Sequence, residues 1–286
     1  MRIRFDLNAT SVAVPSLDEG ELRTVLGSSW VRFLGAGASG ESWAFERPGG
    51  SAVAKILLDP NPTSSEIMRE VTPLTRVSSP NVVRLEGMQL LSLSGSQRPA
   101  LIFEHITGGD IWAAMRAGAW PTPVEVAAFA AGALRGLVAL HAREVVHRDV
   151  KPHNIALRDA DWARPVLLDL GLGRLLDEST KTLYPQALGT APFMAPEVVG
   201  GGPARKGSDL WSLGVVLHLL LTRRHPFYPD PAEVIDEDEA HDRMVAGAPP
   251  LPPTTPGPLA AVAARLLSAR SFERGSAARA LRELEP

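Results

Sequence analysis

Three side chains within six residues have the types that phosphoryl transfer needs. Asp149, Lys151 and Asn154 stand in the run Val146-His147-Arg148-Asp149-Val150-Lys151-Pro152-His153-Asn154, between two apolar stretches. A carboxylate can accept a proton, an ammonium two residues on can meet developing negative charge, and a carboxamide oxygen can ligate a metal. A reaction that depends on positioning and charge uses that set. Two more groups join it. Asp169 ends the apolar run Val166-Leu167-Leu168, fifteen residues past Asn154, and Lys55 ends Ala52-Val53-Ala54. A strand that is apolar up to a single lysine needs a reason to bury that charge; at an isolated edge the lysine would simply snorkel to water.

The elements that must hold these groups are visible in the pattern around them. Trp30-Val31-Arg32-Phe33-Leu34 reads as a strand, Gly35-Ala36-Gly37-Ala38-Ser39-Gly40 follows, and Glu41-Ser42-Trp43-Ala44-Phe45 is a second strand before the turn Pro48-Gly49-Gly50. G-x-G-x-x-G serves a dinucleotide fold only when a helix follows it. Here a strand follows, so the glycines lie in a hairpin whose backbone N–H groups can approach phosphate oxygens. Ala100-Leu101-Ile102-Phe103 is a buried-strand pattern leading into Glu104-His105-Ile106-Thr107-Gly108-Gly109-Asp110. Thr122-Pro123-Val124-Glu125 begins a helix, with threonine as N-cap, proline in the first turn and glutamate closing a capping box. Leu17 to Leu22 is the start of a short helix within an N-terminal stretch of mixed character.

Composition excludes several classes. The chain has 286 residues, 45% hydrophobic and 21% charged, with a formal net charge of −3 and no cysteine. One or two soluble domains are expected, without a basic nucleic-acid surface, disulfide, thiolate metal site or cysteine nucleophile. Met1 to Asp6 lacks the apolar run of a signal peptide. The run Leu210 to Leu221 is too short to span a bilayer and fits a buried helix. A cytoplasmic protein with no membrane span is the expectation.

The motifs together resemble the eukaryotic-type Ser/Thr protein kinases, in their bacterial branch. That family's catalytic loop reads H-R-D-x-K-x-x-N, as His147 to Asn154 does here. The likeness runs from about residue 30 to 280. It implies an α+β, bilobal kinase-like fold: an extension over 1–29, a β-rich N-lobe over 30–106, and a helical C-lobe over 107–286. By the resemblance Asp149 accepts the substrate hydroxyl's proton, Lys151 meets charge on the phosphoryl group, and Asn154 and Asp169 hold Mg²⁺, or Mn²⁺ in its place. Lys55 contacts the ATP phosphates and pairs with a glutamate, Glu70, or Glu66 one turn earlier; Pro73 would kink or shorten that helix. The nucleotide is expected against Gly35, Ala36, Gly37, Gly40, Ser42, Val53, Glu104, Ile106, Asp110 and Ala156, with Phe103 at the back of the pocket. Ser42 and Val53 depart from the family's valine and alanine, and a compensating exchange of volume is expected. Asp-Leu-Gly at 169–171 stands for the usual D-F-G. Ala195-Pro196-Glu197 ends an activation segment in which Thr190 bonds toward Asp149 and Lys151, and Glu197 pairs with Arg274. Asp209 is expected to hold the catalytic-loop backbone.

Ser179, Thr180 and Thr182, and more weakly Tyr184, are candidate phosphorylation sites, with Arg148 as a cation for the phosphate. The acidic run Asp230, Glu233, Asp236 to Glu239 suits a solvated face or the docking of basic protein substrates. Self-association for trans-autophosphorylation is a further expectation, and regulatory input is expected from a partner or from residues 1–29. Two readings compete: an inactive kinase-fold module, disfavoured by the full catalytic set, and a small-molecule phosphotransferase, which would lack Gly189-Thr190 together with Ala195-Pro196-Glu197.

Overall fold

Period-two alternation builds the first half of the chain. In the computed structural model, which describes residues 2–7, 13–37, 40–58, 71, 75, 77–169 and 191–285, five strands form one antiparallel sheet. They are β2 (Val31–Gly37), β3 (Gly40–Arg47), β4 (Gly50–Leu57), β5 (Leu85–Leu93) and β6 (Ser96–Glu104), in the order β2-β3-β4-β6-β5. Ala52, Ala54 and Ile56 of β4 join Trp43, Phe45 and Ile102 on the outer face, where Leu22 packs on them. Leu22 belongs to helix α1 (Glu19–Leu26), whose Asp18 N-cap accepts from Glu21 N at 2.8 Å and whose chain turns out at Gly27, φ 60°. A left-handed residue there suits glycine. Val53, Leu57, Leu101 and Phe103 point the other way, into the main core shared with the second half. Lys55 shares that side, since strand residues two apart share a face.

The second half is helical: α2 (Ile111–Arg116), α3 (Pro123–His141), α4 (Pro196–Val199), α5 (Lys206–Thr222), α6 (Glu237–Ala246), α7 (Gly257–Leu266) and α8 (Ala277–Leu284). The capping box expected at Thr122 forms: Thr122 N donates to Glu125 Oε2 at 2.7 Å and Glu125 N to Thr122 Oγ1 at 3.3 Å. Among the described residues α3 is long and apolar enough to cross a membrane, but 56% of that window is buried here, with Phe129, Leu134 and Leu137 in the core. Helix α5 is buried from Ser208 to Leu220, as an all-round apolar helix should be.

Two short ladders matter most for the site. Strands β7 (Ile155–Leu157) and β8 (Pro165–Leu167) pair antiparallel beneath the sheet. Leu167 accepts from Val83 N and donates to Asn81 O, both at 2.9 Å, which ties the connection before β5 to the helical half. At the far end, β1 (Arg2–Ile3) pairs with β9 (Ile235–Asp236), Ile3 opposite Ile235.

Candidate active site

The β7–β8 ladder brings two distant residues to one place. Ile155 faces Leu167, and the ladder extends by Leu168 N donating to Asn154 O at 2.8 Å. Asn154 and Asp169 therefore leave the same end of the hairpin. Across the cleft, Lys55 Nζ lies 2.6 Å from Asp169 Oδ1, with the lysine side chain only 8% exposed. Burial pushes the Asp169 carboxyl up, and the Lys55 ammonium, helped by Lys151 and His147, outweighs that and holds it below the ordinary carboxylate range.

The catalytic-loop residues converge on Asp149. Its Oδ2 is held by Lys151 Nζ at 2.8 Å and by Asn154 Nδ2 at 2.7 Å, while Asn154 Nδ2 also reaches the Asp149 carbonyl at 2.9 Å. Oδ1 is buried and accepts no hydrogen bond among the described residues. A buried carboxylate oxygen left open beside two anchored donors is an acceptor awaiting a proton donor. The loop itself is bent: Arg148 has φ 70°, a conformation costing about 1–3 kcal/mol in a non-glycine residue. Asp209, from the buried helix α5, holds it there by accepting from His147 N at 2.9 Å and Arg148 N at 2.8 Å. His141 Nε2 lies 2.8 Å from the same carboxylate, so His141 and His147 serve the scaffold rather than a metal pair.

In the glycine-rich loop, Gly37 pairs with Gly40 and Gly35 with Ser42. A Cβ on Gly35 or Gly37 would meet nothing within 4 Å, whereas one on Gly40 would be driven into the Ile56 carbonyl. The first two leave backbone uncovered, and the third permits close strand pairing. Ala36 continues β2 between them; Ser42 sits opposite Lys55 and Val53 opposite Phe103. Ala156 is buried below and bridges to Asp110, and Ile106 is buried at the connection after β6. Glu104 is engaged by Arg158, at 3.3 Å, and by Arg84 N at 3.0 Å. Asp110 caps α2, accepting from Ala113 N at 2.8 Å; burial raises its carboxyl above the ordinary value against the helix amides that lower it.

Glu66, Glu70, Pro73, Ser179, Thr180, Thr182, Tyr184 and Thr190 lie outside the described residues, as do Ala38 and Ser39. Beyond the activation segment, Glu197 and Arg274 pair as expected, Nη1–Oε1 at 2.7 Å and Nη2–Oε2 at 2.9 Å. Most of the acidic run has local work: Glu233 and Glu239 bind Arg243, Asp236 caps α6, and Asp230 accepts from Ala232 N at 2.8 Å.

Sequence reasoning passed over two features of this region. Glu41, directly after Gly40, is 1% exposed; its carboxylate accepts from Ser16 N and Oγ at 2.6 Å each and from Trp43 Nε1 at 2.9 Å. His225 donates from Nε2 to Pro192 O at 3.0 Å and accepts at Nδ1 from Phe227 N and Tyr228 N, both at 3.2 Å. Neither position carries a spacing signal, because each also needs a distant partner, Ser16 for Glu41 and Pro192 for His225.

As to a metal, no three His, Asp or Glu side chains converge among the described residues. One carboxylate and one carboxamide, Asp169 and Asn154, suit a hard cation that completes its shell with phosphate oxygens and water, as Mg²⁺ does.

The comparisons agree with this geometry. Residues 29–284 match the protein kinase domain family. Serine/threonine-protein kinase PkaA of Streptomyces coelicolor is 32% identical over 267 residues, covering 91% of this chain and 47% of that protein. Probable serine/threonine-protein kinase PkwA of Thermomonospora curvata is 32% identical over 236 residues, covering 80% of this chain and 30% of that protein. The chain thus spans half or less of the length of these relatives. Among solved structures, that of Rad53 residues 1–466 in complex with AMP-PNP superposes with a TM-score of 0.68 at 21% identity, covering 87% of this chain and 62% of that one; at that identity the likeness concerns the fold. With a glycine-looped sheet over a helical half and this loop between them, the chain belongs to the protein kinase domain family.

Proposed function

We propose that the chain is an ATP- and Mg²⁺-dependent Ser/Thr protein kinase that moves the ATP γ-phosphoryl group to Ser or Thr hydroxyls of proteins. The observation that carries this is Asp149: Oδ2 fixed by Lys151 and Asn154, and Oδ1 without a hydrogen-bond partner among the described residues. The acceptor hydroxyl gives its proton to Oδ1 as its oxygen bonds to the γ-phosphorus; the bond to the β–γ bridging oxygen breaks and ADP leaves. Lys151 meets charge on the moving group and Lys55 the remaining phosphates. Asn154 and Asp169 would hold Mg²⁺, which when bound neutralises phosphate charge. The backbone of Gly35, Ala36, Gly37 and Gly40 covers the phosphates, while Ser42, Val53, Glu104, Ile106, Asp110 and Ala156 bound the nucleoside. Glu70 as a partner of Lys55, Thr190 beside Asp149, and autophosphorylation at Ser179, Thr180 or Thr182 by self-association belong to the same reading, as do cytoplasmic residence and a signalling role.

Transfer of labelled γ-phosphate from ATP to a Ser/Thr peptide tests this. Asp149→Asn is expected to lower kcat by about 10²–10⁴-fold with ATP affinity kept. No transfer by the folded, nucleotide-binding wild type would leave a kinase-fold binding module instead.

A further inference from the structure

The first residues of the chain pack on the helical half, one ring away from the catalytic loop. Arg2 and Ile3 add a strand to the Ile235–Asp236 edge. Ile3 is 1% and Phe5 8% exposed. The Phe5 ring is enclosed by Trp112, Phe193 and His225, with centroids 5.9, 5.9 and 4.7 Å away. Trp112 in turn stacks on His153 of the catalytic loop at 4.3 Å. One ring thus separates Phe5 from the residue that precedes Asn154. Phe5 touches rings from two places that border the catalytic loop in sequence or space: Trp112, stacked on His153, and Phe193, just past the activation segment.

The chemistry of this contact is peptide recognition by strand addition: main-chain pairing at an edge, with alternate side chains in pockets. Ile3 and Phe5 point inward, and Arg2 and Arg4 stay outside. Arg4 is half exposed and donates from Nε to Pro231 O at 2.6 Å. A ladder of two residues is a weak hold, and such short pieces open easily. The second anchor is firmer: Ser16 N and Oγ and Leu17 N all donate to the buried Glu41 carboxylate beside Gly40. Eleven positions separate Phe5 from Ser16, so a released segment stays at an effective concentration of about millimolar.

Resting on the kinase reading above, we propose that the surface of Trp112, Phe193, His225 and the Ile235–Asp236 edge docks the acceptor polypeptide. Residues 2–6 occupy it as an intramolecular competitor. The preferred acceptors therefore carry the same alternation, arginine and large apolar residue, that Arg2-Ile3-Arg4-Phe5 displays.

The test uses the full chain and a fluorescein-labelled peptide with the sequence of residues 1–7. If the segment is docked about nine-tenths of the time, freeing the surface tightens apparent affinity about tenfold. Phe5→Ala is expected to bind the peptide about tenfold more tightly than wild type. It should also show about tenfold lower KM for a serine peptide bearing Arg-Ile-Arg-Phe, with kcat and the KM for ATP unchanged. Equal Kd and equal KM in both proteins would overturn the proposal while leaving the kinase reading standing. A tighter Kd with no transfer by either protein would support docking and sink the kinase reading. If Phe5→Ala does not fold, Arg4→Ala, altered at an exposed side chain, should shift Kd the same way by about twofold or more; an unchanged Kd there overturns the proposal as well.

Discussion

Lys55 Nζ and Asp169 Oδ1 stand 2.6 Å apart, a bond that runs from the middle of β4 to the exit of β8 and joins the two halves of the molecule. The two burdens it carries are opposite in sign: burial raises the Asp169 carboxyl and the ammonium lowers it more. Lys55→Met removes the main lowering cause and leaves the burial, with Lys151 and His147 as the remaining, weaker ones. The Asp169 carboxyl should then titrate higher and lose the ammonium that fixes its orientation, so it should hold a divalent cation less well. Phosphoryl transfer is expected to fall by at least about 10²-fold, with a higher Mg²⁺ concentration for half-maximal rate. A variant with wild-type rate and Mg²⁺ dependence would show that the pair is only structural.

Gly40 separates two kinds of glycine in one motif. Its Cβ would strike the Ile56 carbonyl, a backbone atom that cannot swing aside, whereas Gly35 faces open space. Gly40→Ala should therefore cost about 1–3 kcal/mol of folding stability, as overpacking does. Gly35→Ala should stay within about 0.5 kcal/mol and weaken ATP binding instead. Urea unfolding and nucleotide titration of both variants read the difference; equal stability losses would refute the assignment.

How much of this was open to inspection in the sequence depends on the range of the interaction. Asp149, Lys151 and Asn154 were legible because six residues of loop hold all three, and Asp169 because a short apolar strand points to it. The lone lysine on β4 showed that a partner existed without showing which one; the described partner is Asp169, 114 positions away. The docked N-terminus was not legible. Arg2-Ile3-Arg4-Phe5 alternates at strand period, but four residues are too few to weigh, and the edge they join lies over 230 positions on. Glu41 reads as a surface residue between a glycine and a serine, and only the return of Ser16 explains why it can be buried.

The Glu197–Arg274 pair supplies a stability prediction. Arg274 is 0% exposed and spends its remaining donors on the carbonyls of Gly207, Ser268 and Ala269, at 2.9, 2.8 and 3.3 Å. Burial raises the Glu197 carboxyl, and Arg274 and Ser208 bring it below the ordinary range. Removing one partner leaves the other charge buried without compensation, which costs about 3–5 kcal/mol. Glu197→Gln and Arg274→Met are each expected to lose that much in urea unfolding. The double variant should lose less than the sum, because the second change removes a charge already stranded. Strict additivity would mean that the two side chains do not act as a pair.

His225 sets the acid limit of the segment that follows the activation loop. The ring is 2% exposed, and burial pushes its pKa down from 6.5 to about 3, against the Pro192 carbonyl that favours the proton. Its bonding fits the neutral ring: Nε2–H gives to Pro192 O, and Nδ1 accepts from Phe227 N and Tyr228 N. In the unfolded chain the ring takes up a proton near pH 6.5, so below that value the unfolded state binds one proton more than the folded state. Stability is complete above about 6.5 and falls as pH drops toward about 3, with this residue contributing about 1.4 kcal/mol per pH unit inside the window. His225→Gln keeps a donor and an acceptor and removes the titration. The variant should be less stable at pH 7, where the fitted ring is lost, and its stability should decline less steeply between pH 6 and 4. Urea unfolding at half-unit steps of pH measures both slopes; parallel acid limbs would assign the proton uptake to other groups, with His218, also buried and lowered, the first to try.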